Sequence, residues 1–496
     1  MRDERKLEGR SRLVRYAAMA ALPLVLAGCN VGPKYTVPAV PAPPAFKEAL
    51  PAEYKSDSTW KPGQPNDAMP RGAWWTVFND AQLNALEPQV ETANQTLKQA
   101  DANMRAAEAE VKVRNADRFP TFGIDPAVGS QRFSQSPYFN AAPSFPVTGS
   151  TTQYPVELNY QVDLWGQVRK NIAAGREETQ ASAADRVNIL LSLQATLASD
   201  YLQLRTSDSL AHLLDATVVQ YQEALRITTN RFNGGVSPKS DVTQAQTQLS
   251  AAKVLATNVH IQRAQYEHAI ANLIGKSPAE LTIPDSPLPT SAAPPVIPPG
   301  LPSELLERRP DIAAAERRAA EGNEAVGVAE AAFYPSVLLT GALGYASTAA
   351  VNSLFSPANA VYSLGPGIAF TFFDGGRRKG IRDEAYALFD RNSAAYKQTV
   401  LTGFQQVEDN LVALHTLTDE AAQQHDATLS AQESERIFNN RYVGGVDTYL
   451  QVITAQTTAL NNEVNEIDIL RRRMTGTVSL ILALGGGWDR SQLPPQ

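Results

Sequence analysis

The chain contains the stretch RFNGGV at residues 231–236 and a second version of it, RYVGGV, at residues 441–446. The tripeptide Ala-Gln-Thr follows each copy at the same spacing, at residues 245–247 and 455–457. Each copy is typical of a long helix, a glycine turn and a second helix that returns along the first. An internal repeat of this kind constrains the whole architecture, so it is considered before individual helices and strands are assigned. It predicts two related halves, each with a helical hairpin, and two hairpin tips that lie side by side.

The helices of these hairpins are predicted to be unusually long. Residues 167–233 contain no proline and a single glycine, and the apolar residues within 197–225 follow three-four spacing with a slip near Asp208. A helix of this length spans ~100 Å, and the spacing indicates a coiled-coil seam rather than the face of a compact bundle. The second half predicts an equally long helix that ends at Tyr442. The returning helices are predicted from Pro238 to about Ile274 and from the second glycine pair to about Leu484.

Alternating apolar and polar residues predict β-strands beside these helices. Residues 156–164 alternate without exception, which is the period of a strand with two different faces. Residues 337–345 and 363–372 predict further strands, and two strands per half give four per chain. Four strands cannot close on themselves and lipid does not tolerate open edges, so closure demands several chains. Three chains would give a twelve-stranded transmembrane barrel, and a soluble β-sandwich is the alternative.

The remaining segments follow a similar order in both halves. Residues 82–115 predict a helix that only Pro88 interrupts, and residues 303–332 predict its counterpart. Eight prolines between residues 284 and 302 exclude a helix or a central strand and indicate a linker. The predicted organisation is a signal peptide at 1–28, an extended tether at 29–78, a first repeat at 79–283, the linker at 284–302, a second repeat at 303–484 and a tail at 485–496.

The N-terminus has the features of an export signal. Six arginines and lysines precede a short apolar run at residues 16–27. Residues 26–29 read LAGC, which resembles the lipobox of bacterial lipoproteins, and Cys29 is the only cysteine of the chain. The resemblance implies a covalent lipid on Cys29 and, because Asn30 rather than aspartate follows, transport to the outer membrane. A chance cysteine in an ordinary signal is the alternative.

Composition argues against several classes of function. Charged residues make up 19% of the chain and the net charge is -7, whereas nucleic-acid binding favours clustered basic residues. The mean hydropathy is -0.26, and no stretch after the N-terminus reaches the ~20 apolar residues of a spanning helix. The five histidines are not spaced as metal ligands, and no phosphate-binding loop is found. We therefore expect no enzyme, no metal site, no nucleic-acid partner and no cofactor besides the lipid on Cys29.

Several motifs stand in a recognisable order. VGPKY follows the lipobox at residues 31–35, DLWG ends the clearest strand at 163–166, LLERRPDI opens the second half at 305–312, and LGGGW closes it at 484–488. Together with the two glycine turns, these motifs resemble the TolC family of outer-membrane efflux proteins, specifically its OprM- or NodT-like lipoprotein branch. The resemblance implies an α+β membrane protein in which three chains form a twelve-stranded β-barrel above a long periplasmic coiled-coil barrel of helices.

The resemblance also implies a function and partners. Such a homotrimer is an exit duct, held in outer-membrane lipid and extending into the periplasm, that passively conducts what an inner-membrane pump and a periplasmic adaptor deliver. The pump would be of the resistance-nodulation-division (RND) class. Two alternatives stay open: a periplasmic coiled-coil lipoprotein that acts as a scaffold without a pore, and the outer-membrane channel of a type I secretion system. The identity of the cargo is not encoded in these motifs.

By the same resemblance, a gate lies at the helix tips farthest from the barrel. Asp241 and Tyr442 match positions that are linked across neighbouring coils in closed relatives, and Arg441 is placed to add a charge-assisted hydrogen bond. Leu450 matches an apolar constriction, which resists the entry of water. The alternatives are a helix N-terminal role for Asp241 and simple coil packing for Arg441 and Tyr442.

The expected gate departs from the family pattern on the last helix. Relatives often carry aspartates there, whereas this chain has Gln451 and Thr454, so we expect a polar and apolar closure rather than a strong ring of cation-binding carboxylates. The turns themselves are exposed and form a candidate contact for the adaptor. The predicted adaptor-contacting residues are Gly234, Gly235, Ser237, Gly444, Gly445 and Asp447.

Overall fold

Two helical hairpins dominate the computed structural model, which describes residues 30–43, 46–48, 72–132, 148–297, 305–347, 354–488 and 493. The predicted signal peptide and Cys29 lie outside these residues, as do most of the tether and the end of the linker. Each hairpin joins a helix of 67 residues to a helix of 35 residues, and one helix of the second hairpin also packs against the first. None of the helices in the described part of the chain is long and apolar enough to cross a bilayer. The hairpin helices are α3 (Gln167–Asn233), α4 (Lys239–Leu273), α6 (Arg377–Val443) and α7 (Tyr449–Ala483), close to the predicted bounds.

The shorter helices differ from the prediction at one point. The expected helix over residues 82–115 is two helices, and the break falls at Asn94 whereas Pro88 stays within the first. Asn94 has an extended backbone; its Oδ1 accepts from the Leu97 amide at 3.1 Å and its Nδ2 donates to the Leu273 carbonyl at 2.8 Å. The asparagine therefore caps one helix while it fastens the end of another, which a sequence pattern does not reveal. These helices are α1 (Ala81–Ala93), α2 (Gln95–Ala116) and, in the second half, α5 (Pro310–Ala331), preceded by a single turn at Leu305–Arg308.

The strands form one antiparallel sheet that is four strands wide. Two short strands pair one after the other with the same long strand, and the chain is interrupted between them at Asp125 and Pro126. The predicted alternating strand is confirmed and is longer than expected, whereas the last strand ends at Ala369, so Phe370 and Phe372 lie beyond it. The strands are β1 (Thr121–Ile124), β2 (Ala127–Arg132), β3 (Thr148–Val162), β4 (Ser336–Ser347) and β5 (Ala360–Ala369), in the order β1/β2, β3, β4, β5.

The segment after Cys29 is a packed strap rather than a free tether. The Tyr35 hydroxyl donates to Glu316 on α5 at 2.9 Å, and Asn323 donates to the Pro33 carbonyl at 3.2 Å. Gly32 has φ +108 and lies so close to the backbone of Gly327 that an added Cβ would meet it at 2.6 Å. These contacts explain the VGPKY motif, because only glycine fits that backbone conformation and that close approach.

The slip in the coiled-coil pattern marks a buried ionic cluster. Asp208 on α3 is fully buried and accepts from Arg205 at 3.2 Å, from Arg263 of α4 at 2.6 Å and from the Ser286 amide at 3.1 Å. Arg205 also donates to the carbonyl of Pro284 at 2.6 Å. Since Arg205 and the Asp208 carboxylate both bind backbone groups of the linker, the cluster fastens the linker to the middle of the first hairpin.

Candidate gate at the helix tips

Both glycine turns have the same hydrogen-bonded form. In the first, the Val236 amide donates to the Arg231 carbonyl at 2.8 Å and the Gly235 amide donates to the Phe232 carbonyl at 2.9 Å; the second turn repeats both bonds. This is a Schellman motif, in which the last helical carbonyls find partners after a left-handed residue. Gly235 has φ +73 and Gly445 has φ +75, so the second glycine of each pair is the one that the turn requires. The first glycines, Gly234 and Gly444, have φ -80 and -71.

The two tips touch each other through Tyr442. Its side chain is buried, and its ring lies 5.2 Å from that of Tyr449 and shares a cluster with Ala245 of α4. Arg231 at the end of α3 lies over the Tyr442 ring at 4.8 Å, and its guanidinium donates to the Val443 carbonyl at 3.2 Å. The hairpins therefore meet at their tips, as the repeat predicts, and a cation–π contact joins them.

Polar atoms are buried around Tyr442. The Tyr442 hydroxyl, Ser237 Oγ and Nε of Arg231 make no hydrogen bond of good geometry among the described residues, although Ser237 lies close enough to the Tyr442 hydroxyl to affect its pKa. Burial is the main cause that raises the pKa of Tyr442; the Asp241 carboxylate adds to this, whereas Ser237 and Arg231 oppose it. Asp241 is half-buried in the first turn of α4, near Tyr442 but not hydrogen-bonded to it. A link between Asp241 and Tyr442 stays a prediction.

The other predicted gate residues are exposed. Arg441 forms an ion pair with Asp447 across its own turn, and this hydrogen bond raises the pKa of the guanidinium. Leu450 is 56% exposed, and the exposed Thr454 donates from Oγ1 to the Leu450 carbonyl at 3.0 Å. The structure thus divides the predicted site into a buried contact between hairpins and an exposed face on α7.

The sequence prediction missed one member of the buried contact. Arg231 was not among the candidates, although it occupies in the first repeat the position of Arg441 in the second. The repeat was therefore the available signal. In the described part of the chain, no group of three or more histidine, cysteine, aspartate or glutamate side chains is placed to hold a metal ion.

Comparison with known proteins identifies the family to which this chain belongs. The family model described as outer membrane efflux protein matches residues 86–276 and 301–486, one segment in each half. The chain belongs to this family, which consists of efflux channels and not of enzymes.

Individual relatives match over nearly the whole chain. The chain is 31% identical over 472 residues to the outer membrane protein OprJ of Pseudomonas aeruginosa, with 95% of each chain covered. It is 30% identical to the toluene efflux pump outer membrane protein TtgF of Pseudomonas putida, with 96% of this chain and 97% of the relative covered. The solved structure of the outer-membrane channel OprN superposes with a TM-score of 0.82 at 28% identity, over 93% of this chain and 100% of OprN.

These likenesses confirm the predicted TolC-like fold class and the predicted function. The protein is an outer-membrane component of an efflux system, with the fold of trimeric efflux channels and an internal repeat. The domain boundaries, the lipid on Cys29 and the roles of the gate residues stay predictions.

Proposed function

We propose that three copies of this chain form a lipid-anchored exit duct, gated at the hairpin tips, for an RND-type pump and its periplasmic adaptor. The observation that carries the proposal is the open sheet of a single chain. Its outer strands, β1/β2 on one side and β5 on the other, have no further partner among the described residues. Unpaired edges are not tolerated in lipid, so the sheet needs neighbours.

The surface of the sheet supports the same proposal. Large apolar side chains stand exposed on its strands, among them Phe122 at 71%, Val128 at 76% and Leu364 at 72% exposure. A soluble monomer rarely leaves so much apolar surface in water. Lipid around a barrel would cover it, while neighbouring chains would pair with the open edges, and this disfavours the scaffold without a pore.

The position of the strap is consistent with a lipid anchor at the level where the sheet meets the helices. The Val31 amide donates to the Trp165 carbonyl at 3.2 Å, and Oδ1 of Asn30 lies 2.8 Å from where a Cβ on Gly166 would stand. Cys29 is covalently joined to Asn30, so lipid on its thiol would begin beside the end of β3. Acyl chains there would reach the same bilayer that surrounds the sheet.

The gate would act through two layers at the tip. The ring of Tyr442, held between the hairpins by Arg231, resists their separation. The Asp241 carboxylate lies close enough to act electrostatically on the Tyr442 hydroxyl. Leu450 and Thr454 form the exposed face that meets the same residues of the other two chains, and Arg441 with Asp447 stiffens the turn. Both glycine pairs are exposed at the tip, where the adaptor would dock, and Ser237, although predicted with them, is only half-exposed and has its Oγ buried beside Tyr442.

The names of two relatives indicate which kind of cargo to expect. TtgF is named for toluene efflux, and another relative, ArpC of Pseudomonas putida, is named for antibiotic efflux; it is 30% identical over 477 residues. We infer that this chain also serves small-molecule efflux rather than type I secretion of proteins.

Purification of the full lipoprotein tests the proposal. We expect a trimer that migrates differently before and after heating, conducts current in planar bilayers and carries acyl chains on Cys29 by mass spectrometry. A Cys29→Ser variant behind a cleavable signal is the matched control, since it should lose the acyl mass and keep the trimer. A stable monomer without ionic current contradicts the duct, whereas an unmodified Cys29 contradicts only the anchor.

A further inference from the structure

The exposed face of α7 nearest the tip carries no charged side chain. Between Leu450 and Asn465 the exposed residues are one leucine, one glutamine, three threonines and two asparagines. Since successive residues are separated by 100° around a helix, these seven fall within an arc of about 120°. The opposite side of α7 is buried through Val452, Ala455 and Ala459, so this arc is the side of the helix that faces water.

Two of the threonine hydroxyls on this face and one amide at its margin are bonded to their own helix. Thr454 donates to the Leu450 carbonyl at 3.0 Å, and Thr458 donates to the Thr454 carbonyl at 2.8 Å. Asn462, at the margin of the arc, donates to the Thr458 carbonyl at 2.8 Å. The face therefore presents methyl groups, hydroxyl oxygens and neutral amides, none of which offers an ionic partner to a passing solute.

The one charged residue of the segment points elsewhere. Glu463 stands about 180° around the helix from Thr454. It is half-buried, accepts from Gln432 of α6 at 2.5 Å and lines a cavity with Pro287 and Leu288 of the linker. Nearer the tip, Asp447 is neutralised by Arg441 within the same turn. No fixed charge is thus directed from this part of α7 toward the side that Leu450 and Thr454 occupy.

We infer that this uncharged face makes the narrow end of the duct indifferent to the sign of charge, so that its cargo is uncharged or zwitterionic small organic molecules rather than metal cations. The inference rests on the proposed function, which places Leu450 and Thr454 on the wall of the closing tip. An ion that gives up part of its hydration in a constriction needs fixed counter-charges to offset the loss. Solutes without net charge have no such need, and the methyl and hydroxyl surface suits them.

Reversal potentials of the purified trimer in planar bilayers test this inference. Under a KCl gradient we expect a ratio of K+ to Cl- permeability within about two-fold of one. Thr454→Asp places three carboxylates at one level of the trimer and should raise that ratio by about five-fold or more, with new block by La3+. Glu463→Gln is the matched control, because it removes a carboxylate from the opposite side of α7 and should leave the ratio unchanged.

Two results would overturn the inference while the duct itself stands. The first is a conducting wild-type trimer that strongly prefers cations, and the second is a conducting Thr454→Asp trimer with an unaltered ratio and no La3+ block. If neither the wild-type protein nor a Tyr442→Ala variant, which lacks the ring between the hairpins, passes any current, the duct is refuted and the inference with it.

Discussion

Replacement of Tyr442 by alanine should open the duct, because the ring of this residue joins the two hairpins. The side chain is 4% exposed and has Arg231 over its face at 4.8 Å. Truncation of a fully buried aromatic residue costs about 3–5 kcal/mol in all. Only the part of this energy that depends on the hairpins staying together can bias a gate, since a perturbation acts through its difference between the two states.

The share of the energy that depends on contact between the hairpins can be worked out from the contacts of the Tyr442 ring. The tilted ring contact between Tyr442 and Tyr449 lies within the second hairpin and persists when the hairpins separate. The cation–π contact with Arg231 contributes about 1 kcal/mol, and burial of the ring against Ala245 and Leu225 contributes about another. The closed state of each chain therefore loses about 2 kcal/mol, which is about 30-fold in the equilibrium between closed and open.

Single-channel recording on reconstituted trimers measures this shift as open probability. Tyr442→Phe is the first control: it keeps the ring under Arg231 and removes only the hydroxyl beside Ser237, so we expect a clearly smaller change, of less than about five-fold. Tyr396→Ala is the second, since it removes a buried tyrosine from α6 in a different cluster, against Ile312 and Val400, and should weaken the protein without opening the tip.

Three outcomes would refute the reasoning. An unchanged open probability in Tyr442→Ala would show that the ring does not hold the hairpins together. Equal opening by Tyr442→Phe would show that the hydroxyl, and not the ring, is the link. Equal opening by Tyr396→Ala would show that any loss of packing has the same effect.

Three further predictions concern stability, each measured as the thermal unfolding midpoint of the trimer in detergent. Gly445→Ala should cost about 1–2 kcal/mol because φ is +75, whereas its control Gly444→Ala, at φ -71, should cost much less; equal losses contradict the assigned turn. Asp208→Ala should cost about 3–5 kcal/mol because it leaves buried Arg205 without its carboxylate, and a loss below about 1 kcal/mol contradicts this. Burial raises the pKa of Glu87 from 4.5 to about 9, so the folded protein keeps a proton that the unfolded chain releases, and the free energy of unfolding should fall as pH rises through that range. Glu87→Gln should remove this fall and stabilise the protein by about 3 kcal/mol at pH 7; an unchanged pH profile contradicts it.

The long helices and the longest strand were predictable from the sequence pattern alone. The bounds of α3 were predicted at residues 167–233 and observed there, because a proline-free run with three-four spacing leaves little choice of conformation. The strand around residues 156–162 was equally clear, since strict alternation is the period of a strand. The repeat predicted two hairpins with adjacent tips. Local periodicity indicates which face of a helix or strand is buried. It can be read from the residues of that element alone, without knowledge of the rest of the chain.

The partners of each buried face become visible only in the folded chain. The break at Asn94, the strap held by Tyr35 and the tandem pairing of β1 and β2 with β3 all depend on partners far away in sequence. The same is true at the tip, where Arg231 and Tyr442 are brought together from different repeats. A sequence pattern contains the period of burial but not the identity of the neighbour, and hydrogen bonds and cation–π contacts need that neighbour at a specific distance and angle.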